Sequence, residues 1–317
     1  MILDIVRNYY LKRIGERLAG AITRQPQRRR LRQHSWSIGV FVGDSPLTLK
    51  PPDNITNPVL TRHHVTDVDA VFVADPFMIH ASDRWYMFFE VVNRVTKKGE
   101  IGLATSKDGF RWCYERIVLA EPFHLSYPYV FEANGTFYMV PESHKASAVR
   151  LYKAEAFPTN WKLVANLLHG AYFADSSLFQ YRGRWWLFAE TNANIRSDTL
   201  RLFYADELTG PWKEHSMSPV VNGDGHFARP AGRVLVEDNR IIRFAQDCEP
   251  VYGTRVYAFD ISELSERSYT EKLCSDLPIL EPSGTGWNAC GMHHLDPHMV
   301  NDHSWIACVD GWIETNA

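Results

Sequence analysis

Several features of secreted, metal-binding or membrane-spanning chains are missing from this sequence of 317 residues. Its five cysteines are widely spaced and contain no C-x-x-C pair, which argues against a disulfide scaffold and against a zinc site. No apolar run approaches the roughly 20 residues that cross a bilayer, and the first residues do not have the pattern of a signal peptide. We therefore expect a cytoplasmic protein with reduced thiols.

The sequence also has no overall positive charge. The net charge of −3 and the pI of about 6.5 give no general attraction for nucleic acid. Basic charge is local, at Arg24 and over 28–32, and it follows an apolar pattern of helical period over 1–23. We expect a basic helical extension and linker over 1–35. One hypothesis is that this extension makes a peripheral contact with an anionic membrane surface. The other is that it packs on the rest of the protein or in a dimer, so the oligomeric state stays open.

What the chain does contain is an internal repeat of β character. Three segments share the order strand, tight turn, strand, and each closes on a glutamate fifteen residues after its first residue; they cover 75–90, 127–142 and 175–190. Two looser copies begin at Arg229 and Asp296. The five starting points are 52, 48, 54 and 67 residues apart, and this spacing is typical of four-stranded propeller blades.

The repeat predicts an all-β chain, a five-bladed β-propeller over 36–317 behind the N-terminal α-helical extension. The last copy stops soon after its second strand, near Trp312. An open sheet edge would invite aggregation, and the first strand-like run lies at the other end of the propeller segment. We therefore expect the strand over 36–43 to close the last blade.

In a propeller the innermost strands begin beside the central axis, so the first residues of the five copies should converge there. Each of them could simply cap its own strand or turn. However, three are acidic and none is aliphatic, which favours a functional pocket. The five residues are Asp75, Tyr127, Asp175, Arg229 and Asp296.

A second set of acids closes the second strand of each copy. These acids either pair with arginines such as Arg233 or take part in chemistry. Glu142 and Glu190 follow apolar runs and are the better candidates for a raised pKa, while Asp247 is a candidate for substrate binding. The set consists of Glu90, Glu142, Glu190, Asp247 and Asp310.

A histidine-rich run over 291–298 adds further candidates. His293, His294 and His298 are expected to hydrogen-bond the substrate, although packing accounts for at least one of them. With Asp296 they also suggest a divalent cation such as calcium in the channel. Because the spacing matches no standard metal motif, no metal ligand is assigned.

Five motifs carry a resemblance that covers roughly residues 36–312. The chain resembles the five-bladed furanosidase-like propellers of the arabinanase, xylosidase, invertase and levansucrase families. More specifically, it resembles the N-terminal domain of plant glucosamine inositolphosphorylceramide transferase and its stand-alone bacterial relatives. The motifs are Val73–Met78, Glu121–Phe131, Arg229–Arg233, Arg243–Cys248 and Gly291–His294.

This resemblance implies a division of labour, with Asp75 as general base and Asp175 orienting the sugar and tuning a neighbouring pKa. In the glycosidase families that the chain resembles, the general acid is a glutamate at the start of blade four. This chain has Arg229 and no carboxylate there. Inverting hydrolysis needs one protonated acid and one ionised base, so Glu142 or Glu190 would have to substitute. Arg229 and Arg233 instead suggest an anionic substrate.

Three functions remain as hypotheses. The favoured one is an enzyme that acts on a glycan or glycolipid, by glycosyl transfer or by glycoside hydrolysis of the furanosidase type. The second is a non-catalytic carbohydrate-binding propeller that assists a separate glycosyltransferase. The third is a protein-binding scaffold, which would need no polar groups at its axis.

Overall fold

The computed structural model describes residues 32–194, 196–237, 240–301 and 304–316. Most of the expected helical extension, residues 1–31, lies outside these ranges, whereas 32–35 belong to the first strand, β1 (Arg32–Gly43). The described residues fold into five antiparallel sheets. Among them no helix has the length and apolar character that crossing a membrane requires.

The first two blades follow β1 and each contain four consecutive strands, ordered from the axis outwards. Their inner strands are rich in the apolar and aromatic residues that strands favour, and most of these residues are buried. Blade one contains β2 (Ala70–Ala81), β3 (Arg84–Asn93), β4 (Lys98–Ser106) and β5 (Cys113–Leu119). Blade two contains β6 (Ser126–Ala133), β7 (Thr136–Glu142), β8 (Ala148–Ala156) and β9 (Asn160–His169).

The next two blades have the same plan with short additional strands. Blade three contains β10 (Ala174–Tyr181), β11 (Arg184–Glu190), β12 (Thr199–Ala205), β13 (Lys213–Glu214) and β14 (Val221–Asn222). Blade four contains β15 (Arg229–Pro230), β16 (Leu235–Glu237), β17 (Arg240–Asp247), β18 (Arg255–Leu264) and β19 (Tyr269–Leu273). Helical structure in the described ranges is limited to three single turns of 3-10 helix, over Arg62–His64, His144–Ala146 and Gly286–Asn288.

Blade five joins the two ends of the described chain. Its strands are β20 (Leu295–Asn301) and β21 (Ser304–Asn316), and β1 pairs with β21 from Arg32 opposite Asn316 to Gly43 opposite Trp305. The architecture is therefore an all-β, five-bladed propeller, as the repeat predicts. The ring is closed by one long antiparallel strand pair.

Local sequence explains the innermost hairpins of blades one to three. Each is turned by a two-residue loop in which both residues have positive φ, namely 82–83, 134–135 and 182–183. Such loops match the right-handed twist of the flanking strands. Aromatic side chains then pack between neighbouring blades: the rings of Phe88 and Trp161 lie 5.5 Å apart, and those of Phe131 and Trp185 lie 5.7 Å apart.

Candidate functional site

Three of the predicted axial residues share an unusual backbone conformation. Asp75, Tyr127 and Asp175 have φ values of 53°, 46° and 47°. At each of them the pairing of the innermost strand with its neighbour shifts register. A non-glycine residue in this conformation costs on the order of 1–3 kcal/mol and persists only where its surroundings determine it. Because a bulge re-aims the side chain beside it, these three equivalent bulges control what faces the axis.

The closing acids hold the neighbouring blades together. The backbone N–H of Asp75 donates to Asp310 Oδ2 at 3.0 Å, and that of Asp175 donates to Glu142 Oε2 at 3.2 Å. In both cases the closing acid of one copy of the repeat accepts a hydrogen bond from the first residue of the next copy around the ring. The closing acids are therefore part of the fold as well as part of the site.

Arg229 lies at the centre of the site and neutralises two of the predicted catalytic acids. Its Nε donates to Asp175 Oδ2 at 2.6 Å, and its Nη2 donates to Glu142 Oε2 at 3.4 Å. Gln246 adds a hydrogen bond of 2.9 Å to the same oxygen of Asp175. Asp75 lies close enough for its protonation to depend on the charges of Asp175 and Glu142. We call Asp75, Glu142, Asp175 and Arg229 the axial cluster.

Burial and crowding divide the carboxyl groups by charge state. Burial, followed by the charges of Glu90, Asp175 and Asp310, raises the pKa of Asp75 well above its usual value. Burial raises the pKa of Asp175 and Arg229 lowers it, and the contact of 2.6 Å between Arg229 Nε and Asp175 Oδ2 is that of an ion pair with an ionised Asp175. Burial alone would raise the pKa of Glu142, but the hydrogen bond and charge of His144, with Arg229, hold it well below its usual range.

Four of the five closing acids have a histidine partner, at N–O distances between 2.6 and 3.0 Å. The pairs are Glu90–His124, Glu142–His144, Asp247–His226 and Asp310–His293. Glu190 is the exception: its Oε1 accepts the Asn192 N–H, but its Oε2 has no partner although the residue is completely buried. Burial raises the pKa of Glu190 to about 7.

One group of residues offers ligands for a metal. Donor atoms of Asp75, His293 and Asp310 lie within 4.8 Å of one another, and all three residues are buried. His293 Nδ1 lies 2.7 Å from Asp310 Oδ1, and its Nε2 faces Asp75 Oδ1 at 3.5 Å. A divalent cation such as calcium takes six to eight oxygen ligands, so this group supplies a minority of them. The cation stays a prediction.

The structure places Arg233, Asp296 and His298 in a second group. Arg233 Nε donates to Asp296 Oδ1 at 2.7 Å, and His298 Nε2 lies 3.0 Å from Asp296 Oδ2. That oxygen also accepts the N–H of Met78, three residues further along the innermost strand than Asp75. No bulge precedes Asp296 in β20, where it pairs with Cys308. Asp296 therefore takes the place of Phe77, not of Asp75, and does not belong to the axial cluster.

Tyr127 and His294 fill the interior of the channel. The Tyr127 hydroxyl lies 2.8 Å from Ser177 Oγ and accepts the Gly232 N–H at 2.6 Å. The His294 ring packs edge-on against Phe77 and Tyr127, and neither of its nitrogens has a hydrogen-bond partner. Burial lowers the pKa of His294 to about 4. Both side chains are thus positioned for packing rather than for contact with a ligand.

Asp247 lies at the edge of the site. Its Oδ1 meets His226 at 2.9 Å and the Glu249 N–H at 3.0 Å, and its Oδ2 lies 3.6 Å from Arg255. The axial cluster is not among its hydrogen-bond partners. Its predicted role in substrate binding stays a prediction.

Two tyrosines that the sequence does not single out lie beside the axial cluster. The Arg229 guanidinium lies 5.1 Å from the ring centre of Tyr252, and Tyr172 packs against His144 with ring centres 5.1 Å apart. Both lie in connections between strands, outside the segments that repeat, so spacing gave no signal for them. Only their position in the fold brings them to the site.

The chain is similar in sequence to proteins of one family. Residues 29–312 match a protein-family model described as "Glucosamine inositolphosphorylceramide transferase 1, N-terminal". The rice (Oryza sativa subsp. japonica) protein of that name is 36% identical over 302 residues, covering 87% of this chain and 40% of the relative. The Arabidopsis thaliana protein is 36% identical over 300 residues, covering 87% of this chain and 39% of the relative. The chain thus spans about 40% of the length of these curated relatives.

Solved structures with low sequence identity share the fold. An α-L-arabinanase of Cellvibrio cellulosa is 16% identical with a TM-score of 0.53, covering 78% of this chain and 92% of that one. A family 117 glycoside hydrolase of Zobellia galactanivorans is 14% identical with a TM-score of 0.52, covering 89% and 91%. At these identities the likeness shows the five-bladed architecture and nothing more.

Proposed function

The chain belongs to the family of the N-terminal domain of glucosamine inositolphosphorylceramide transferase 1, and from this premise we propose that it acts on a glycan or glycolipid at its axial cluster. The proposed reaction is glycosyl transfer or glycoside hydrolysis. One observation carries the proposal. The side chain of Asp75 is 11% exposed, whereas those of Asp175 and Glu142 are 4% exposed. Asp75 is therefore the carboxyl of the cluster that a ligand reaches first.

The protonation of Asp75 favours a role as proton donor rather than the base that the resemblance implies. Burial and the neighbouring carboxylates raise the pKa of Asp75 and so favour its protonated form. The proton would pass to the glycosidic oxygen as the bond between that oxygen and the anomeric carbon breaks. A hydroxyl of the acceptor, or water, would form the new bond to the anomeric carbon. The proton lost by that hydroxyl goes to solvent, since Asp175 and Glu142 already accept hydrogen bonds from Arg229.

The second candidate function is carbohydrate binding without catalysis. Arg229 stands where the resembled glycosidases carry their acid, and its ion pair of 2.6 Å with Asp175 removes a free carboxylate from the site. A site so arranged retains hydrogen-bond donors for sugar hydroxyls but lacks the usual pair of an acid and a base. This arrangement would suit a module that presents a sugar to a separate glycosyltransferase.

Asp75→Asn in the full chain tests the proposal. With 4-nitrophenyl glycosides and nucleotide sugars as substrates, we expect turnover to fall by about 100-fold or more while sugar binding and the melting temperature change little. Asp83→Asn is the matched control, because Asp83 lies exposed at the turn of the same β2–β3 hairpin. Sugar binding by the wild type without product across the panel would favour the second candidate. Neither binding nor product would overturn both.

Two further expectations about partners are tested alongside. The anionic substrate that Arg229 and Arg233 suggest in the sequence predicts that sugar phosphates bind more tightly than the parent sugars, whereas the pairing of both arginines with buried carboxylates favours a neutral sugar. The proposed membrane contact of residues 1–35 predicts that the full chain floats with anionic liposomes and that a variant without these residues does not. Equal affinities, or equal flotation, would contradict the respective expectation.

A further inference from the structure

Tyr172 and Tyr252 flank the axial cluster and are more exposed than its acids. Tyr172 lies between β9 and β10, Tyr252 lies between β17 and β18, and both are partly exposed. Tyr252 packs on the Arg229 guanidinium at 5.1 Å and edge-on against His293 at 5.4 Å. A ligand that approaches Arg229 therefore meets aromatic rings that are already held in place.

The hydroxyl groups of these two tyrosines are not used within the fold. Among the described residues neither hydroxyl has a hydrogen-bond partner, whereas the hydroxyls of Tyr127, Tyr152 and Tyr269 all do. Both hydroxyls are thus available to hydrogen-bond a ligand beside the axial cluster.

Arg229 contributes unused donors at the same place. A guanidinium has five N–H donors. Asp175, Ser197 and Glu142 each accept from a different nitrogen of Arg229, which leaves one N–H on each terminal nitrogen. The charge of Arg229 is already balanced by Asp175 and Glu142, so these remaining donors suit neutral hydroxyl groups.

We propose that Tyr172, Tyr252 and the free N–H groups of Arg229 form the subsite that binds a neutral sugar ring in front of Asp75. The aromatic faces would contact the C–H face of the ring, and the phenol hydroxyls would hydrogen-bond sugar hydroxyls. This inference rests on the proposed function and names the residues that select its substrate. Tyr172 and Tyr252 act in binding and positioning, whereas Asp75 transfers the proton.

Substitutions with Phe and with Ala distinguish the contribution of each hydroxyl to sugar affinity from that of its ring. Tyr172→Phe and Tyr252→Phe remove one neutral hydrogen bond each, so we expect the affinity for methyl glycosides of arabinose, galactose, glucose and mannose to fall about fivefold. Tyr172→Ala and Tyr252→Ala also remove the stacking face, and we expect losses of about tenfold or more. Isothermal titration calorimetry measures both effects, with KM rising and kcat nearly unchanged wherever turnover is detected.

Tyr181 provides the matched control. It is partly exposed and its ring also lies against an arginine, with Arg182 at 5.0 Å, but it stands at the far end of the β10–β11 hairpin. Tyr181→Phe and Tyr181→Ala should leave sugar affinity unchanged. If the wild type binds sugar and the Tyr172 and Tyr252 variants bind like these controls, the subsite is overturned while the proposed function stands. If the wild type binds none of the four glycosides, the subsite is overturned, whereas the proposed function is decided by binding and turnover of the 4-nitrophenyl glycosides and nucleotide sugars.

Discussion

Glu190 is a buried carboxyl group whose ionisation should make the stability of the protein depend on pH. The other closing acids each meet a histidine, but Glu190 Oε2 has no partner and burial raises the pKa of Glu190 to about 7. A pKa in the folded state above the usual value of 4.5 means that folding favours the protonated form. The stabilising contribution is therefore complete below pH 4.5 and is lost as the pH rises through 7.

Glu190→Gln should flatten this dependence. Between pH 4 and pH 8 the wild type should lose on the order of 3 kcal/mol of unfolding free energy through this residue. The neutral amide avoids that loss, so we expect the variant to melt higher than the wild type at pH 8 and similarly at pH 4. Glu142→Gln is the control with the opposite sign, because His144 and Arg229 stabilise its ionised form. A lower melting temperature of Glu190→Gln at pH 8 would contradict the prediction.

At the scale of elements, the contacts between blades depend on close backbone approach at Gly232. Its φ is 135°, and a Cβ atom there would lie 1.7 Å from the carbonyl oxygen of Leu295. Gly232 bridges to Leu295 of blade five, while its N–H and C=O both meet the Tyr127 hydroxyl of blade two. Three blades are thus joined at one residue that has no side chain.

Gly232→Ala is expected to prevent folding, because backbone of two blades would have to separate. Gly135→Ala is the matched substitution: Gly135 also has a positive φ, of 71°, but nothing lies within 4 Å of its added Cβ. It should lower stability by only about 1 kcal/mol. Soluble yield and urea denaturation of both variants measure the difference, and a Gly232→Ala protein as stable as Gly135→Ala would refute the argument.

At the scale of the whole molecule, the ring depends on β1. Ile38 and Val40 are completely buried between β1 and the neighbouring blades, and the backbone of β1 covers the edge of β21. Without this strand, blade five would expose an unpaired edge that other chains could extend. β1, the first strand in the described part of the chain, therefore protects β21.

Val40→Asp should open the ring. An unpaired carboxylate at a buried position costs several kcal/mol, so we expect loss of the wild-type elution peak to aggregates in size-exclusion chromatography with light scattering. Ser37→Asp, at a partly exposed position of the same strand, should elute like the wild type with a nearly unchanged melting temperature. If both variants behave alike, β1 does not limit closure of the ring.

Much of the architecture could be predicted because it depends on local, repeated features. The fifteen-residue spacing from Asp75 to Glu90, and its two copies, is a pattern of residues along the chain that each hairpin obeys by itself. The same pattern placed Asp75, Asp175 and Arg229 among the expected axial residues and Glu142 among the closing acids. Their meeting in the axial cluster follows from the radial arrangement of equivalent strands.

The tertiary structure alone decided which of these residues come together in the axial cluster. The dipeptide Asp296-Pro297 looks like Asp75-Pro76 in the sequence. Because β20 has no bulge before it, Asp296 takes the strand position of Phe77 and pairs with Arg233. Tyr127 occupies a predicted axial position, but its hydroxyl turns inward to Gly232. Sequence determines the strands and their repeat because these depend on near neighbours. The direction of each side chain at the axis depends on register and on contacts between blades far apart in the chain, and no local pattern records them.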